Sequence, residues 1–217
     1  MGTHGGRVAL TGLFLALLAG CGAAPRAVEV TESGHASGAA AQRGGSVGAA
    51  GSACELPVVF DIAKGWKAEA VDGLAAVASA GTDSDITEEV VDGLLRQGPV
   101  TMVCEIDAKP AGNIGYLRAW TGRPGSGDAR AVLQAFVAAE DNTGGAAYRT
   151  FTAGGLSGVR VDYRYTSKLL AETKKESALA VVTPKGPVVL HLGGLDSAEH
   201  DEMLPAFELA QDSLRSR

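Results

Sequence analysis

The sequence predicts an α+β fold, a single domain in which an antiparallel β-sheet is flanked by helices as an α/β sandwich. Three observations support this. Several segments between residues 58 and 192 alternate apolar and polar side chains, which is typical of strands with one buried face. Two other segments carry apolar residues at helical spacing, and they do not alternate with the strands as in a doubly wound parallel sheet. A Thr-Pro-Lys-Gly turn at 183–186 joins two of the strand segments.

The alternation is clearest in GVRVDYRYT, residues 158–166, where Val159, Val161 and Tyr163 share one predicted buried face. We expect the intervening side chains, such as Arg160, to face solvent. The proline and glycine positions of ALAVVTPKGPVVLHL fit a type I turn, which predicts a hairpin. The other strand candidates are VVFDI (58–62), TMVCEID (101–107), IGYLRAW (114–120) and AYRTFTA (147–153).

Two helices are predicted with clear boundaries. Asp128 is the expected N-cap of one, because its side chain can accept a hydrogen bond from a free backbone N–H, and apolar residues at 132–137 form its buried stripe. The other helix begins at residue 196 or 197, and Pro205 is expected in its first turn or at a bend. A weaker third helix is predicted from about Ile86 to Arg96.

Residues 1–20 have the pattern of a bacterial secretory signal. They contain one arginine, Arg7, and no acidic residue, and their apolar run is shorter than the roughly 20 residues that span a membrane. The run ends in Leu18-Ala19-Gly20-Cys21, which looks like the bacterial lipobox. Cleavage then leaves Cys21 as a lipidated first residue, bearing diacylglycerol and palmitate and anchored to the outer face of the cell membrane. The alternative is a buried N-terminal helix in a cytosolic protein.

Residues 21–53 are predicted to be a lipidated, flexible tether. They are rich in Gly, Ala and Ser and have almost no large apolar side chain, so they cannot bury enough apolar area to offset the entropy of ordering. The globular α+β domain is then predicted to span residues 54–217, and its length is that of one domain. We expect it to be a monomer.

The charge of the chain restricts its partners. The formal net charge is −6, and no basic stripe is present that would attract nucleic acid. No polybasic patch is present to hold the domain on an anionic membrane. We therefore expect membrane contact through the lipid anchor and no binding of nucleic acid.

Two cysteines, Cys54 and Cys104, remain once Cys21 is assigned to the anchor. An even pair outside the cytoplasm predicts a structural disulfide. Free buried thiols and a redox-active pair are the alternatives, although redox pairs are more often closely spaced. The pair lacks the further ligands that a zinc site needs.

The sequence lacks the usual catalytic motifs, so we expect no enzyme activity, no cofactor and no metal. Gly155-Leu156-Ser157-Gly158 is not a nucleophile elbow, because Val159 stands where the pattern requires glycine. We expect His191 to be a surface histidine on the outer face of a strand, rather than a base or a ligand. We expect His200, at a helix start, to face solvent.

Two further groups of side chains could bind a ligand. Asp201 and Glu202 could suggest a cation site, but acidic residues in a first helical turn are also what the helix dipole favours. Trp66, Tyr116 and Trp120 could line a ligand cleft, although aromatic residues on strands are more often core residues.

An early strand ending in Lys64-Gly65-Trp66, a mid-chain helix, GGLSGVRVDYRYT, a long hairpin and a final helix together resemble the PsbP-like fold. Mycobacterial lipoproteins of the LpqN/LpqT type are believed to share that fold. The segments CELPVVFD, VCEIDAKPAG and TPKGPVVLHLGGLD are similar to uncharacterised lipoproteins of high-GC Gram-positive bacteria. The resemblance spans about residues 54–217.

The resemblance implies a cell-envelope lipoprotein on a non-enzymatic scaffold. It predicts a binding or accessory module for a partner protein or for a small or lipidic ligand. The alternative is a surface-anchored hydrolase whose acidic and hydroxyl residues meet only in the folded protein. A cleft with a carboxyl of raised pKa beside a serine or histidine would favour the hydrolase.

Overall fold

The computed structural model describes residues 39–72, 93 and 95–217. The helices with described bounds are α1 (Ala129–Ala138) and α2 (Ser197–Asp212), with a short 3₁₀ helix at Lys109–Ala111. The strands are β1 (Arg43–Val47), β2 (Val58–Ala63), β3 (Lys67–Ala70), β4 (Arg96–Gln97), β5 (Val100–Asp107), β6 (Gly115–Gly122), β7 (Thr143–Ala153), β8 (Leu156–Ser167), β9 (Glu172–Thr183), β10 (Gly186–Gly194) and β11 (Arg215–Ser216).

These described strands form two antiparallel sheets. The large sheet has eight strands in the order β3-β5-β6-β10-β9-β8-β7, with β4 paired to β5, and the small sheet has the order β1-β2-β11. Since every named strand pair is antiparallel and the helices pack on the faces of the large sheet, the predicted α+β class is confirmed.

Alternation along the central strands divides the core in two. On β10, Leu190 and Leu192 point to the side of α2, where they pack in one apolar cluster with Phe207 and with Phe60 of the small sheet. Val189 points to the opposite side, in a second cluster with Phe136 of α1. We call these two sides of the large sheet the α2 face and the α1 face.

The two predicted helices are confirmed, with their caps. The Asp128 side chain accepts a hydrogen bond from the backbone N–H of Ala131, and Asp196 accepts from those of Ala198 and Glu199. Pro205 lies inside α2 rather than in its first turn. The third predicted helix falls mostly outside the described residues, and Arg96, its last predicted residue, lies in β4.

The predicted tether is wrong at its C-terminal end, because residues 43–53 belong to the folded domain. Val47 is buried and pairs with Phe60 of β2. The glycines here allow close backbone contact: a Cβ on Gly44 would lie 2.5 Å from the backbone of Lys64, and one on Gly48 would lie 1.9 Å from the carbonyl oxygen of Val58. The remaining tether residues, 21–38, and the signal at 1–20 lie outside the described residues.

The disulfide between Cys54 and Cys104 is confirmed, with Cα atoms 5.9 Å apart. Both residues are buried in the cluster on the α2 face. The bond joins the loop before β2 to the large sheet and closes a loop of 50 residues. A loop of this length corresponds to about 4 kcal/mol of stabilisation in the chain-entropy treatment of disulfides.

Candidate functional site

An open cleft of about 750 Å³ lies on the α1 face of the large sheet. Helix α1 is only 10 residues long, and it covers the part of this face that carries Trp120, Val189 and Ala178. Farther along the same strands neither α1 nor any other helix of the described residues covers the face, and there the side chains of β6, β9 and β10 line the cleft. Among the described residues, the cleft therefore lies beyond the part of the sheet that this short helix covers.

Strand register brings the polar side chains of the cleft together. His191 on β10 lies opposite Arg118 on β6. Glu176 on β9 lies opposite Gly193 on β10 and Tyr163 on β8. Because side chains two apart on a strand share a face, these residues continue the row that begins with Val189 beneath α1.

His191 is buried, so the prediction of a surface histidine is wrong. Its side chain is only 9% exposed, and Nε2 lies 2.9 Å from Oε2 of Glu176 and 3.2 Å from the hydroxyl of Tyr163. Its ring centroid is 5.6 Å from that of Phe136, on α1. The outer face of the strand is covered by α1, which the alternation of β10 alone does not reveal.

Glu176 is a buried charged residue at the floor of the cleft. Its side chain is 2% exposed, and Oε1 lies 2.8 Å from Nζ of Lys174. Burial acts to raise the pKa of Glu176, but the contacts with His191 and Lys174 outweigh it and hold this pKa below its usual value. The residue is therefore a carboxylate at neutral pH.

A second carboxyl group behaves in the opposite way. Glu140 follows α1, and its Oε2 accepts a hydrogen bond of 2.9 Å from the hydroxyl of Tyr163. Burial raises the pKa of Glu140, and burial also raises the pKa of Tyr163, with a further contribution from the Glu140 charge. Two carboxyl groups of the cleft are therefore shifted in opposite directions, Glu176 towards its ionised form and Glu140 towards its neutral form.

Two buried polar atoms of the cleft have no hydrogen-bond partner among the described residues. They are Oε2 of Glu176 and Nδ1 of His191. Although Nε2 of His191 lies close to the Glu176 oxygen, it does not form an aligned hydrogen bond with it. Unsatisfied buried polar groups are costly, and a cluster of them beside a cavity is typical of a site that receives a ligand or water.

Exposed apolar residues lie at the mouth of the cleft, beside the exposed polar residues Glu172, Thr173 and Asp196. Ile114, Leu170 and Leu195 line it with 47%, 62% and 58% of their surface exposed. Leu169, next to Leu170 at the tip of the β8–β9 hairpin, is 93% exposed. We call these four residues the apolar rim. The cleft thus combines a charged floor with a group of exposed apolar side chains at its entrance.

His200 lies on the α2 face and is also buried, so its predicted solvent exposure is wrong. Its Nε2 lies 3.0 Å from Oγ of Ser177, and that hydroxyl donates its proton to Asp162 at 2.7 Å. Nε2 of His200 must therefore be the donor to Ser177, so the histidine cannot act as a base on this serine. Ser177 is fully buried, which makes the group structural.

The other predicted ligand residues are dispersed. Trp66 and Trp120 are buried in the two separate clusters, and of the three aromatic candidates Tyr116 alone lines the cleft. Asp201 pairs with Lys175 at 2.6 Å, and Glu202 accepts a hydrogen bond from Asn113. The described residues contain no group of His, Cys, Asp or Glu arranged to hold a metal ion.

Sequence reasoning missed Glu140, Glu176 and Lys174. A signal for two of them is present in β9, where Lys174 and Glu176 continue the alternation of Ala178 and Ala180 with charged residues. A charged residue at a core-facing position of a long strand indicates that the covering element has ended.

Comparisons with known proteins place the chain in a family. The profile of the Lipoprotein_23 family, described as uncharacterised lipoprotein, matches residues 24–214. No curated protein matches the chain significantly. Among solved structures, the chain is similar to the solution structure of cyanobacterial PsbP (CyanoP) from Synechocystis sp. PCC 6803, with 11% identity and a TM-score of 0.45 over 85% of this chain and 98% of that one.

No helix within the described residues has the length and apolar character needed to cross a membrane. The expected resemblance to uncharacterised lipoproteins is confirmed by the profile match, and the similarity to PsbP is too distant to transfer a ligand or an activity. Because the match covers most of the chain, this protein belongs to the family of uncharacterised lipoproteins, which implies a membrane-anchored location in the cell envelope.

Proposed function

We propose that this protein is a non-catalytic lipoprotein, anchored through Cys21 to the outer face of the cell membrane, that binds a small or lipidic ligand in the cleft. The family supports the anchor in general terms, and the lipobox-like residues before Cys21 supply its position. The observation that carries the binding role is the pair of unpartnered buried atoms, Oε2 of Glu176 and Nδ1 of His191, at the floor of the cleft.

The charges of the cleft favour a ligand whose polar end donates hydrogen bonds. Its two cationic side chains are already engaged: Arg118 donates to Glu105 at 2.8 Å, and Lys174 contacts both Glu176 and the carbonyl oxygen of Gly194. Oε2 of Glu176, which lies 2.9 Å from Nε2 of His191 and has no hydrogen-bond partner among the described residues, can accept a hydrogen bond. A neutral or cationic donor group therefore suits this floor better than an anionic group does.

The size and lining of the cleft suit an amphiphilic molecule. Pockets for small molecules are typically about 300–1,000 Å³, and this cleft has about 750 Å³. A ligand with a polar end at Glu176 would place an apolar part against Leu170 and Leu195 at the entrance. Such a ligand would provide a hydrogen-bond partner for the buried polar atoms at the floor and would cover exposed apolar side chains of the rim.

A surface-anchored hydrolase is the second candidate, and the raised pKa of Glu140 beside Tyr163 and His191 is the observation that favours it. Catalysis of this kind needs a nucleophile within reach of a base. The hydroxyl that contacts His191 is that of Tyr163, and burial raises its pKa and so weakens it as a nucleophile. The binding role is therefore better supported.

The proposal is tested by filling the cleft. A Cβ on Gly193 would lie 3.1 Å from Oε2 of Glu176, so Gly193→Leu places a side chain on the floor. Gly144→Leu is the matched control, because a Cβ there meets nothing within 4 Å. The full-length protein is extracted from the cell envelope in mild detergent and examined by native mass spectrometry.

We expect the wild type and Gly144→Leu to carry a bound small molecule, and Gly193→Leu to lose it while melting at a similar temperature. A wild-type protein without bound mass, or equal occupancy of all three, would contradict binding in the cleft. Hydrolysis of ester probes by the wild type that is lost in Glu140→Gln would favour the second candidate instead.

A further inference from the structure

The exposed apolar side chains of this protein are concentrated at one place. Among the described residues, five large hydrophobic side chains are exposed, and four of them form the apolar rim. The fifth, Val182, lies near the opposite end of β9, beside the turn that leads to β10. Monomeric proteins seldom collect exposed apolar groups in this way unless the surface meets a partner.

The N-terminal chain enters the domain close to the rim. Ala39, the first described residue, lines a small pocket of about 340 Å³ together with Asn113. Asn113 directly precedes Ile114 of the apolar rim, and the backbone N–H of Ile114 is held by Glu199 at 2.9 Å. Ala39, from which a segment of the chain leads back towards Cys21 in sequence, therefore lies near the mouth of the cleft.

The length of that segment limits the distance between the rim and the lipid. Residues 22–38 separate Cys21 from Ala39. A chain extends at most about 3.6 Å per residue, so this segment spans no more than about 60 Å in any conformation. A lipid anchor at Cys21 therefore keeps the rim close to a bilayer, where even weak contacts form at high effective concentration.

We propose that the apolar rim docks on the surface of the lipid bilayer, with Leu169 and Leu170 inserted among the acyl chains and the cleft opening towards the lipid. This inference rests on the proposed anchor at Cys21. The net charge of −6 does not favour attraction to anionic headgroups, so the exposed apolar side chains of the rim carry the contact. Docking lets an amphiphile pass from the bilayer into the cleft without crossing water.

The test uses the full-length lipidated protein in phosphatidylcholine/phosphatidylglycerol vesicles with brominated acyl chains, which quench nearby tryptophan. Leu169→Trp places a probe on the rim, and Val182→Trp is the matched control on the exposed residue away from the rim. The native Trp66 and Trp120 are 8% and 7% exposed and contribute the same background to both variants.

We expect the emission of Leu169→Trp to shift to the blue and to lose intensity in brominated vesicles, and that of Val182→Trp to stay unchanged. In the double variant Leu169→Trp/Leu170→Asp, the emission wavelength and intensity should return to those seen without vesicles. If brominated vesicles change the emission of the two probes equally, docking of the rim on the bilayer is overturned, and a protein partner would then be the occupant of the rim.

Flotation of the vesicles separates this inference from the anchor. Wild-type protein that floats, while Cys21→Ser does not, shows that the anchor is present whatever the tryptophan probes report. A wild-type protein that fails to float overturns the anchor and the docking together.

Discussion

The two faces of the large sheet are covered to different extents. The α2 face is covered by a helix of 16 residues and by the small sheet, and its cluster includes the disulfide. The α1 face is covered by a helix of 10 residues, which ends before the strands do. Each face carries a buried histidine, His200 on the first and His191 on the second.

The difference between the faces decides what similar polar groups can do. On the α2 face, the Ser177 hydroxyl lies between His200 and Asp162 and is sealed from solvent. On the α1 face, His191 and Glu176 border an open cleft and retain unpartnered atoms. Polar residues under a complete cover hold the fold together, whereas the same residue types beyond the end of a helix are available to a ligand.

The largest expected effect comes from the fully covered face. Phe207 is fully buried, and its ring lies 5.0 Å from the guanidinium carbon of Arg160. We expect Phe207→Ala to lower the free energy of unfolding by about 3–5 kcal/mol, because a large cavity forms in a packed core. Urea unfolding followed by circular dichroism measures the change.

Leu195→Ala is the matched substitution at the cleft on the α1 face. Since Leu195 is 58% exposed, we expect a change within about 0.5 kcal/mol. If Leu195→Ala and Phe207→Ala lowered the free energy of unfolding by similar amounts, the rim would be packed like a core. The contrast between the two faces would then be wrong.

Local patterns in the sequence predicted most of the fold. The alternation of 158–166 is β8, and Asp128 caps α1 as its side-chain chemistry requires. These features depend on neighbouring residues, which the sequence shows directly. The α+β class followed from their order along the chain.

The predictions that were wrong depend on distant residues. Arg160 was expected to face solvent but is 8% exposed, because α2 covers it with Phe207. The glycines of 43–53 predict flexibility, yet two of them permit close contact with β2 and the residue after it. Alternation shows which side of a strand a residue occupies, and it does not show what covers that side. For the same reason the cleft could not be predicted.

The second expected effect is a pH dependence of folding stability that comes from His200 on the α2 face. Burial lowers the pKa of His200 from 6.5, and this outweighs the nearby charges of Asp201, Glu176 and Asp162. Below pH 6.5 the unfolded chain therefore binds a proton that the folded protein does not bind at this site. Stability from this group is intact above that pH and is lost as pH falls towards the folded pKa.

We expect His200→Gln to remove a slope of up to about 1.4 kcal/mol per pH unit below pH 6.5. Its side-chain amide can still donate to Ser177, so the two proteins should differ little above pH 7. Unfolding curves at several pH values provide the measurement, and parallel pH profiles of wild type and variant would contradict a neutral buried His200.

The smallest expected effect comes from Glu140 on the α1 face. Its contribution to the pH dependence of stability has the opposite sign to that of His200. Burial raises the pKa of this carboxyl group from 4.5, so the folded protein holds a proton that the unfolded chain loses as pH rises above 4.5. The folded state is therefore destabilised as pH rises through the folded pKa. Glu140→Gln stays neutral, and its amide oxygen can still accept the hydrogen bond from Tyr163.

We expect Glu140→Gln to raise the melting temperature slightly at pH 7 and to leave it unchanged at pH 4. Glu172→Gln, an exposed substitution at the same cleft, serves as the control and should change neither value. Differential scanning calorimetry at the two pH values makes the comparison. A stabilised variant would show that the protein keeps an unfavourable carboxyl group in the cleft, as expected where a site is maintained for a ligand at the expense of stability. A destabilised one would mean that Glu140 is ionised and structural, like the polar groups on the opposite face.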